Sequence, residues 1–156
     1  MKRLNSRLLC IVEFEVGDGI VSIGDSPFGD RRLGYITGGR IAGDRLSGEV
    51  LPGGGNWSIS GQLGDASVGT FDARSVWKAA GGGLIYVTYG GRSMIPSHVR
   101  ERFATNEYVD PGEYYLRIAP VFETADPDLA WLNGVMAVGV GERTDFGVRH
   151  TIHEIL

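Results

Sequence analysis

The clearest indication of the fold lies in residues 8–16, LLCIVEFEV, where apolar and acidic side chains alternate. Cys10, Val12 and Phe14 share one side of an extended chain, and Glu13 and Glu15 share the other, because successive side chains of a β-strand point to opposite faces. This stretch therefore predicts a strand with one face in the core and one face in water.

Similar alternating patterns recur along the chain, cut repeatedly by glycine, and sustained helical periodicity is almost absent. The 25 glycines are too many for turns alone, and glycine within a strand marks a bulge or a tight bend. Such curvature favours an antiparallel β-barrel over a sandwich, within an all-β fold. Further strands are predicted at residues 34–42, 46–51, 56–61, 67–78, 83–90, 113–123, 131–141 and 146–154.

One short helix interrupts this pattern at Ser97–Ala104. Val99 and Phe103 are four residues apart, and Ser97 is expected to cap the first turn. The Asp110-Pro111-Gly112 sequence then predicts a turn into the next strand.

Length and charge limit the classes of function. The 156 residues fit one domain, residues 1–156, and the net charge of -4 with scattered basic residues gives no surface for a nucleic acid. No apolar run is long enough to span a membrane, and neither a nucleic acid nor a membrane is an expected partner. Cys10, the single cysteine, excludes an internal disulfide; with no signal-peptide pattern, we expect a cytoplasmic location.

A charged row on two predicted strands suggests a catalytic site. Asp72 and Arg74 share one strand face, as do Tyr115 and Arg117 on a later strand. If both faces point into the barrel, Asp72 would accept a proton and Arg117 would stabilise an anion. The alternative is that these side chains lie on a solvated outer face, which is common in antiparallel sheets.

Aromatic and amide side chains would complete a small-molecule pocket, since such pockets are mostly apolar with a few convergent polar groups. Core packing is the better explanation of each tryptophan taken alone. Hydrogen bonds to backbone at a bulge are the alternative for Asn133, and a solvated rim position explains Glu123 equally well. The predicted ligand-binding residues are Asn56, Trp57, Arg74, Tyr86, Tyr115, Glu123, Trp131 and Asn133.

No cofactor or metal is predicted. His150 and His153 are three residues apart, a spacing that places them on opposite faces of a strand, so a shared metal ion is not expected. Gly53-Gly54-Gly55 precedes a tryptophan-containing strand rather than the helix of a phosphate-binding loop, and therefore indicates a bend.

Several blocks in a fixed order resemble the family called domain of unknown function 3237. They are Ile36-Thr37-Gly38-Gly39, Leu51-Pro52-Gly53-Gly54, Phe71-Asp72-Ala73-Arg74, Val109 to Arg117, Pro120 to Thr124, and Ala130-Trp131-Leu132-Asn133. The resemblance covers nearly the whole chain. It implies a one-domain, lipocalin-like antiparallel barrel with a polar-lined pocket, in a family whose members mostly lack an assigned activity.

Two positions depart from the family pattern. Asn56 stands where aspartate commonly precedes the tryptophan, and Ser75 stands where tyrosine usually follows the aspartate and arginine. An amide does not titrate, so any acid or base chemistry of the family aspartate would need another residue in this chain.

Two classes of function remain, both using one pocket. The first is a cofactor-independent enzyme of the isomerase, lyase or cyclase type, acting by acid–base chemistry on a small carbonyl-bearing or phenolic metabolite. The second is a lipocalin-like carrier or sensor that binds such a molecule unchanged. The number of polar groups predicted on inner faces favours the enzyme, and self-association into a homodimer stays open as a purely structural role.

Overall fold

The computed structural model describes residues 3–18 and 20–156, which form an almost entirely β structure. One α-helix and two 3-10 helices, Pro111–Glu113 and Pro127–Gly134, join the strands. The elements are β1 Ser6–Val16, β2 Val21–Ser26, β3 Gly29–Ala42, β4 Gly48–Val50, β5 Gly55–Leu63, β6 Ala66–Ala79, β7 Leu84–Ile95, α1 Ser97–Ala104, β8 Tyr115–Glu123, β9 Ala137–Thr144 and β10 Gly147–Ile155.

The strands close into an eight-stranded antiparallel barrel, which confirms the predicted fold class. From β6 to β10 each strand pairs with the next, and β10 pairs with β1. Closure occurs through β3, which pairs with β1 along its second half and with β2 along its first half. On its other edge β3 pairs with β5 along its first half and with β4 along its second half. β2 and β1 therefore share one position in the barrel, and β5 and β4 share another.

The first strand forms as its alternation predicts. Cys10, Val12 and Phe14 are buried, and Glu13 pairs on the outer face with Arg149 at 2.6 Å. The predicted helix Ser97–Ala104 is also confirmed. Its cap is different, because Pro96 occupies the N-cap position and the Ser97 hydroxyl donates instead to Asp65 Oδ2 at 3.0 Å.

The predicted strand at residues 131–141 is wrong in its first half. Residues Pro127–Gly134 form a 3-10 helix, and β9 begins only at Ala137. The helix starts at Asp126, whose carboxylate accepts the backbone N–H of Asp128 at 2.9 Å, with Pro127 at the first helical position. Both are helix-start signals that outweigh the short apolar pattern of residues 129–132.

The glycine run at residues 53–55 makes the predicted bend between β4 and β5. Gly54 has φ of 75°, and a Cβ at this position would lie 2.2 Å from the Arg74 carbonyl oxygen. Only glycine meets both conditions. The bend lets β5 continue along β6 from the point where β4 leaves it.

The barrel interior divides into two parts along its axis. One part, here the packed half, is filled by apolar side chains and covered by the Pro127–Gly134 helix. The other part, the hollow half, encloses a cavity beside α1 and the β9–β10 hairpin. The packed half is formed by Leu9, Cys10, Ile41, Leu46, Trp77, Ile85, Phe122, Leu132 and Ile152.

Candidate functional site

The hollow half contains a cavity with two lobes. The large lobe has a volume of about 320 Å³, and the small lobe has a volume of about 180 Å³. Asn56, Tyr89 and Val148 line both lobes, so the lobes are adjacent at these three residues, which are called the junction below. Together they reach the size range of ordinary small-molecule sites.

The walls of the two lobes differ. The large lobe is lined mainly by apolar and aromatic side chains with a few polar groups, while the small lobe includes Arg32 and Ser58 at its rim. Phe14 lines the small lobe on the side of the packed half, since its ring lies 6.2 Å from the ring of Trp77 and 6.0 Å from that of Tyr89. The other residues of the large lobe are Phe71, Ser93, Ile95, Phe103, Tyr114, Leu116, Ile118, Arg143, Gly147 and His150.

His150 is a buried titratable group in the wall of the large lobe. Only 2% of the residue is exposed, and its Nδ1 atom has no hydrogen-bond partner among the described residues. Gly141 lies opposite it on β9, where a Cβ atom would come within 2.8 Å of Nδ1. Burial lowers the pKa of His150 from 6.5 to about 4, so the imidazole is neutral at pH 7.

Tyr89 lies against His150 at the junction of the lobes. The two ring centroids are 5.8 Å apart at an interplanar angle of 64°. Burial raises the pKa of the Tyr89 phenol, which therefore keeps its proton throughout the physiological range. The pair thus presents a neutral imidazole and a protonated phenol to the same cavity.

Tyr114 and Arg143 stand at the entrance to the large lobe. The Tyr114 hydroxyl accepts the backbone N–H of Arg143 at 3.0 Å, and burial is the main reason that the pKa of this phenol is raised. The Arg143 guanidinium lies 4.8 Å from the Phe103 ring centroid and donates to the Phe103 carbonyl at 3.3 Å. The entrance is therefore closed partly by α1, which carries Phe103.

Asn56 is the one predicted ligand-binding residue that lines the two-lobed cavity within the described part of the chain. Its inward direction follows from the register, in which Gly34, Asn56, Ala73 and Tyr89 are successive cross-strand neighbours on β3, β5, β6 and β7. Trp57 follows Asn56 along the strand, so its side chain points to the opposite, outer face.

The predicted orientation of the charged row is wrong. In the second half of β6 the buried residues alternate with Asp72 and Arg74, beginning with Ala73 and Ser75. Asp72 and Arg74 therefore point outwards, where they form an exposed ion pair of 3.0 Å. Arg117 also lies on the outer face, since its neighbour Ile118 is buried. These three side chains cannot contact a ligand held inside the barrel.

The outer face of the barrel also carries Tyr115, Tyr86 and Glu123, which are all exposed. The Arg117 guanidinium lies 4.6 Å from the Tyr115 ring centroid. Asp72, Arg74 and Tyr86 do come together, but around an open depression of about 480 Å³ on the outside. The prediction assigned the wrong face of each strand to the interior. Each of these strands buries the alternate set of residues, which is the more apolar set.

Trp131 and Asn133 have structural contacts at the packed end. Trp131 packs against the core, and the Arg45 guanidinium lies 4.3 Å from its ring centroid. The Asn133 amide accepts the Thr124 N–H at 2.9 Å and donates to the Thr124 and Ala130 carbonyls. The alternative of backbone hydrogen bonding therefore holds for Asn133.

Sequence reasoning missed His150, Tyr89, Ser93 and Tyr114 as cavity residues. The alternation of side chains along β10 could have identified His150. It is two residues from the buried Ile152 and so shares its inward face. Tyr89 follows the same rule after Ile85 and Val87. The placement of His150 and His153 on opposite faces agrees with their predicted separation.

Within residues 3–18 and 20–156, no cluster of three or more His, Cys, Asp or Glu side chains is arranged to hold a metal ion. None of the helices in the same residues has the length and apolar character required to cross a bilayer.

The fold and the site define a class of protein: an antiparallel β-barrel with a cavity of small-molecule size at one end. Within that class, the sequence model of the family described as "Protein of unknown function (DUF3237)" matches residues 6–155. The chain belongs to this family, which confirms the resemblance seen in the sequence.

Relatives and solved structures extend this result. A conserved protein of unknown function from Rhodopseudomonas palustris is 29% identical, with a TM-score of 0.88 and coverage of 100% of both chains. A β-barrel-like protein from Acinetobacter baumannii is 28% identical, with a TM-score of 0.84 over 100% of this chain and 98% of that one. A protein of Clostridium acetobutylicum described as UPF0311 is 30% identical over 132 residues, 85% of this chain and 82% of the relative.

Proposed function

We propose that this protein is a cofactor-independent enzyme that moves a proton on a small carbonyl-bearing or phenolic molecule bound in the hollow half. The observation that supports this most directly is that the buried imidazole of His150 and the buried phenol of Tyr89 line the same lobe and lie against each other. Buried titratable groups with shifted pKa values in a cavity are candidates for a functional site.

At neutral pH the two groups have the protonation states that opposite roles require. His150 is unprotonated at neutral pH and can accept a proton, while Tyr89 is protonated and can donate one. In an enolisation, His150 would take the proton from the carbon next to a carbonyl, and the electron pair of that C–H bond would form the enol double bond. The carbonyl oxygen would receive the Tyr89 proton. Reversal of both transfers would restore the two side chains.

The apolar walls favour a largely uncharged substrate. Ile118, Leu116 and Phe71 surround the large lobe, and its charged residue, Arg143, is at the entrance. A low-polarity site strengthens the hydrogen bond from a phenol to a developing oxyanion. Isomerase, lyase and cyclase reactions that begin with such an enol or enolate all fit this arrangement.

A lipocalin-like carrier or sensor is the second candidate. The closed barrel and apolar lobes would retain a ligand without any chemistry. The two proposals differ in whether Tyr89 and His150 are needed for turnover or only for binding.

Hydrogen–deuterium exchange of phenylacetone in D2O, followed by proton NMR, tests the enzyme. We expect the protein to accelerate exchange at the carbon atoms beside the carbonyl, and Tyr89→Phe and His150→Gln each to reduce the rate by about 10²-fold or more. The matched control is Asp72→Asn on the outer face, which should leave the rate unchanged. Binding of phenylacetone without accelerated exchange would contradict the enzyme and support the carrier or sensor. Failure to bind would contradict both proposals.

A further inference from the structure

The residues at the junction of the two lobes indicate the shape and polarity of the ligand. We infer that the ligand spans both lobes and carries a hydrogen-bond acceptor, a carbonyl or phenolate oxygen, between two apolar parts, with Asn56 as the donor to that acceptor. This inference rests on the proposed site in the hollow half and adds the class of substrate that it recognises.

The first argument is the orientation of the Asn56 amide. Its Oδ1 accepts the backbone N–H of Asp72 at 3.3 Å, which fixes the oxygen towards β6. Within the described residues this is the one hydrogen bond of the side chain, so both N–H groups of Nδ2 stay available. Because the same side chain lines both lobes, these donors serve a ligand atom at the junction.

The second argument is the small residue between Asn56 and Tyr89. Ala73 on β6 is the cross-strand neighbour of both, so the amide and the phenol reach into the cavity from either side of a methyl group. Two donors, the Asn56 amide and the Tyr89 hydroxyl, therefore belong to residues that line the same junction. An oxygen with two lone pairs can accept from both.

The third argument is the space on each side of this position. Gly34 faces the small lobe, and a Cβ at this residue would meet only Val16 Cγ1, at 3.4 Å. Ile118 and Leu116 bound the large lobe on the other side. A ligand with one apolar group in each lobe would bring its central oxygen to Asn56.

Calorimetric titration with benzophenone and diphenylmethane tests the central acceptor, since the two probes differ mainly in the carbonyl group. We expect benzophenone to bind about tenfold more tightly, consistent with one or two hydrogen bonds in a buried site. Asn56→Asp keeps an oxygen for the Asp72 N–H but removes both donors and should abolish this preference. Asn5→Asp, the same change on an exposed residue, is the control.

Acetophenone, with one ring, tests whether the ligand spans both lobes. Gly34→Leu should weaken benzophenone binding by tenfold or more and leave acetophenone binding within twofold. Ser58→Leu fills the same lobe from β5 and gives a second variant, and thermal melting checks that both proteins fold.

Equal binding of benzophenone and diphenylmethane to the unaltered protein would overturn the central acceptor. Benzophenone binding that is insensitive to both Gly34→Leu and Ser58→Leu would overturn the spanning arrangement. In either case, continued exchange of phenylacetone would leave the proposed enzyme intact. If none of these ketones binds, the proposed function fails together with this inference.

Discussion

The packed half and the hollow half use the same strands for different purposes. Trp77 and Ile85 are buried in the packed half, where interdigitating side chains leave little free volume. Further along β6 and β7, Phe71 and Tyr89 face a cavity instead. The comparison indicates that the packed half provides the stability that allows the other half to remain open. It also allows the hollow half to keep a buried histidine whose Nδ1 has no hydrogen-bond partner within residues 3–18 and 20–156.

Truncation of one aromatic residue in each half should separate these roles. Trp77→Ala should lower the free energy of unfolding by about 3–5 kcal/mol, because it opens a void in a filled core. Phe71→Ala should cost about 2 kcal/mol or less, since part of the Phe71 ring already faces empty space. Urea denaturation measures both, and equal losses would contradict the division into two halves.

The pH dependence of stability tests the burial of His150. Below its ordinary pKa of 6.5 the unfolded chain binds a proton at this residue, while the folded protein does so only near pH 4. Stability should therefore be complete above pH 7 and fall by about 3 kcal/mol as the pH drops from 6.5 towards 4.

The variant His150→Phe should lack this part of the pH dependence in the same denaturation experiments. Glu13 and Glu154 have lowered pKa values caused mainly by hydrogen bonds to Arg149 and Arg7, respectively, and lose their contribution at lower pH in both proteins. Parallel curves for the two proteins between pH 6.5 and 4 would exclude a buried neutral imidazole.

Blocking the junction should affect binding more than stability. Val148 lines both lobes, so Val148→Phe should weaken binding of 1-anilinonaphthalene-8-sulfonate at least tenfold, about 1.4 kcal/mol, in a fluorescence titration. Val121→Phe introduces the same side chain on the outer face and should leave the affinity unchanged. Equal effects of the two variants would show that the dye binds elsewhere.

The smallest effect is expected for the exposed ion pair on β6. Arg74→Ala should change the free energy of unfolding by less than about 1 kcal/mol, because exposed ion pairs contribute little. Dye binding should stay unchanged in the same titration. A loss of dye binding would show that Arg74 belongs to the ligand-binding site, which would contradict its position on the outer face.

The sequence predicted the barrel better than its interior. Alternation in residues 8–16 and the glycine bend at residues 53–55 depend on local geometry, and both formed as expected. The inward face of a strand instead depends on which set of side chains the whole sheet buries. Charged side chains are uncommon on strands, which is why Asp72 and Arg117 were predicted as site residues, but they belong to the solvated set. His150 shares its strand face with the apolar Val148 and Ile152 and belongs to the buried set.

Cys10 has a practical consequence for work on this protein. It is the single cysteine, it lies fully buried in the packed half, and burial raises the pKa of its thiol to about 12. Thiolate is the form that reacts with alkylating reagents, so the native protein should resist labelling while it stays folded. The variant Ser93→Cys would then report occupancy of the large lobe through the labelling rate of its new thiol, with almost no background signal.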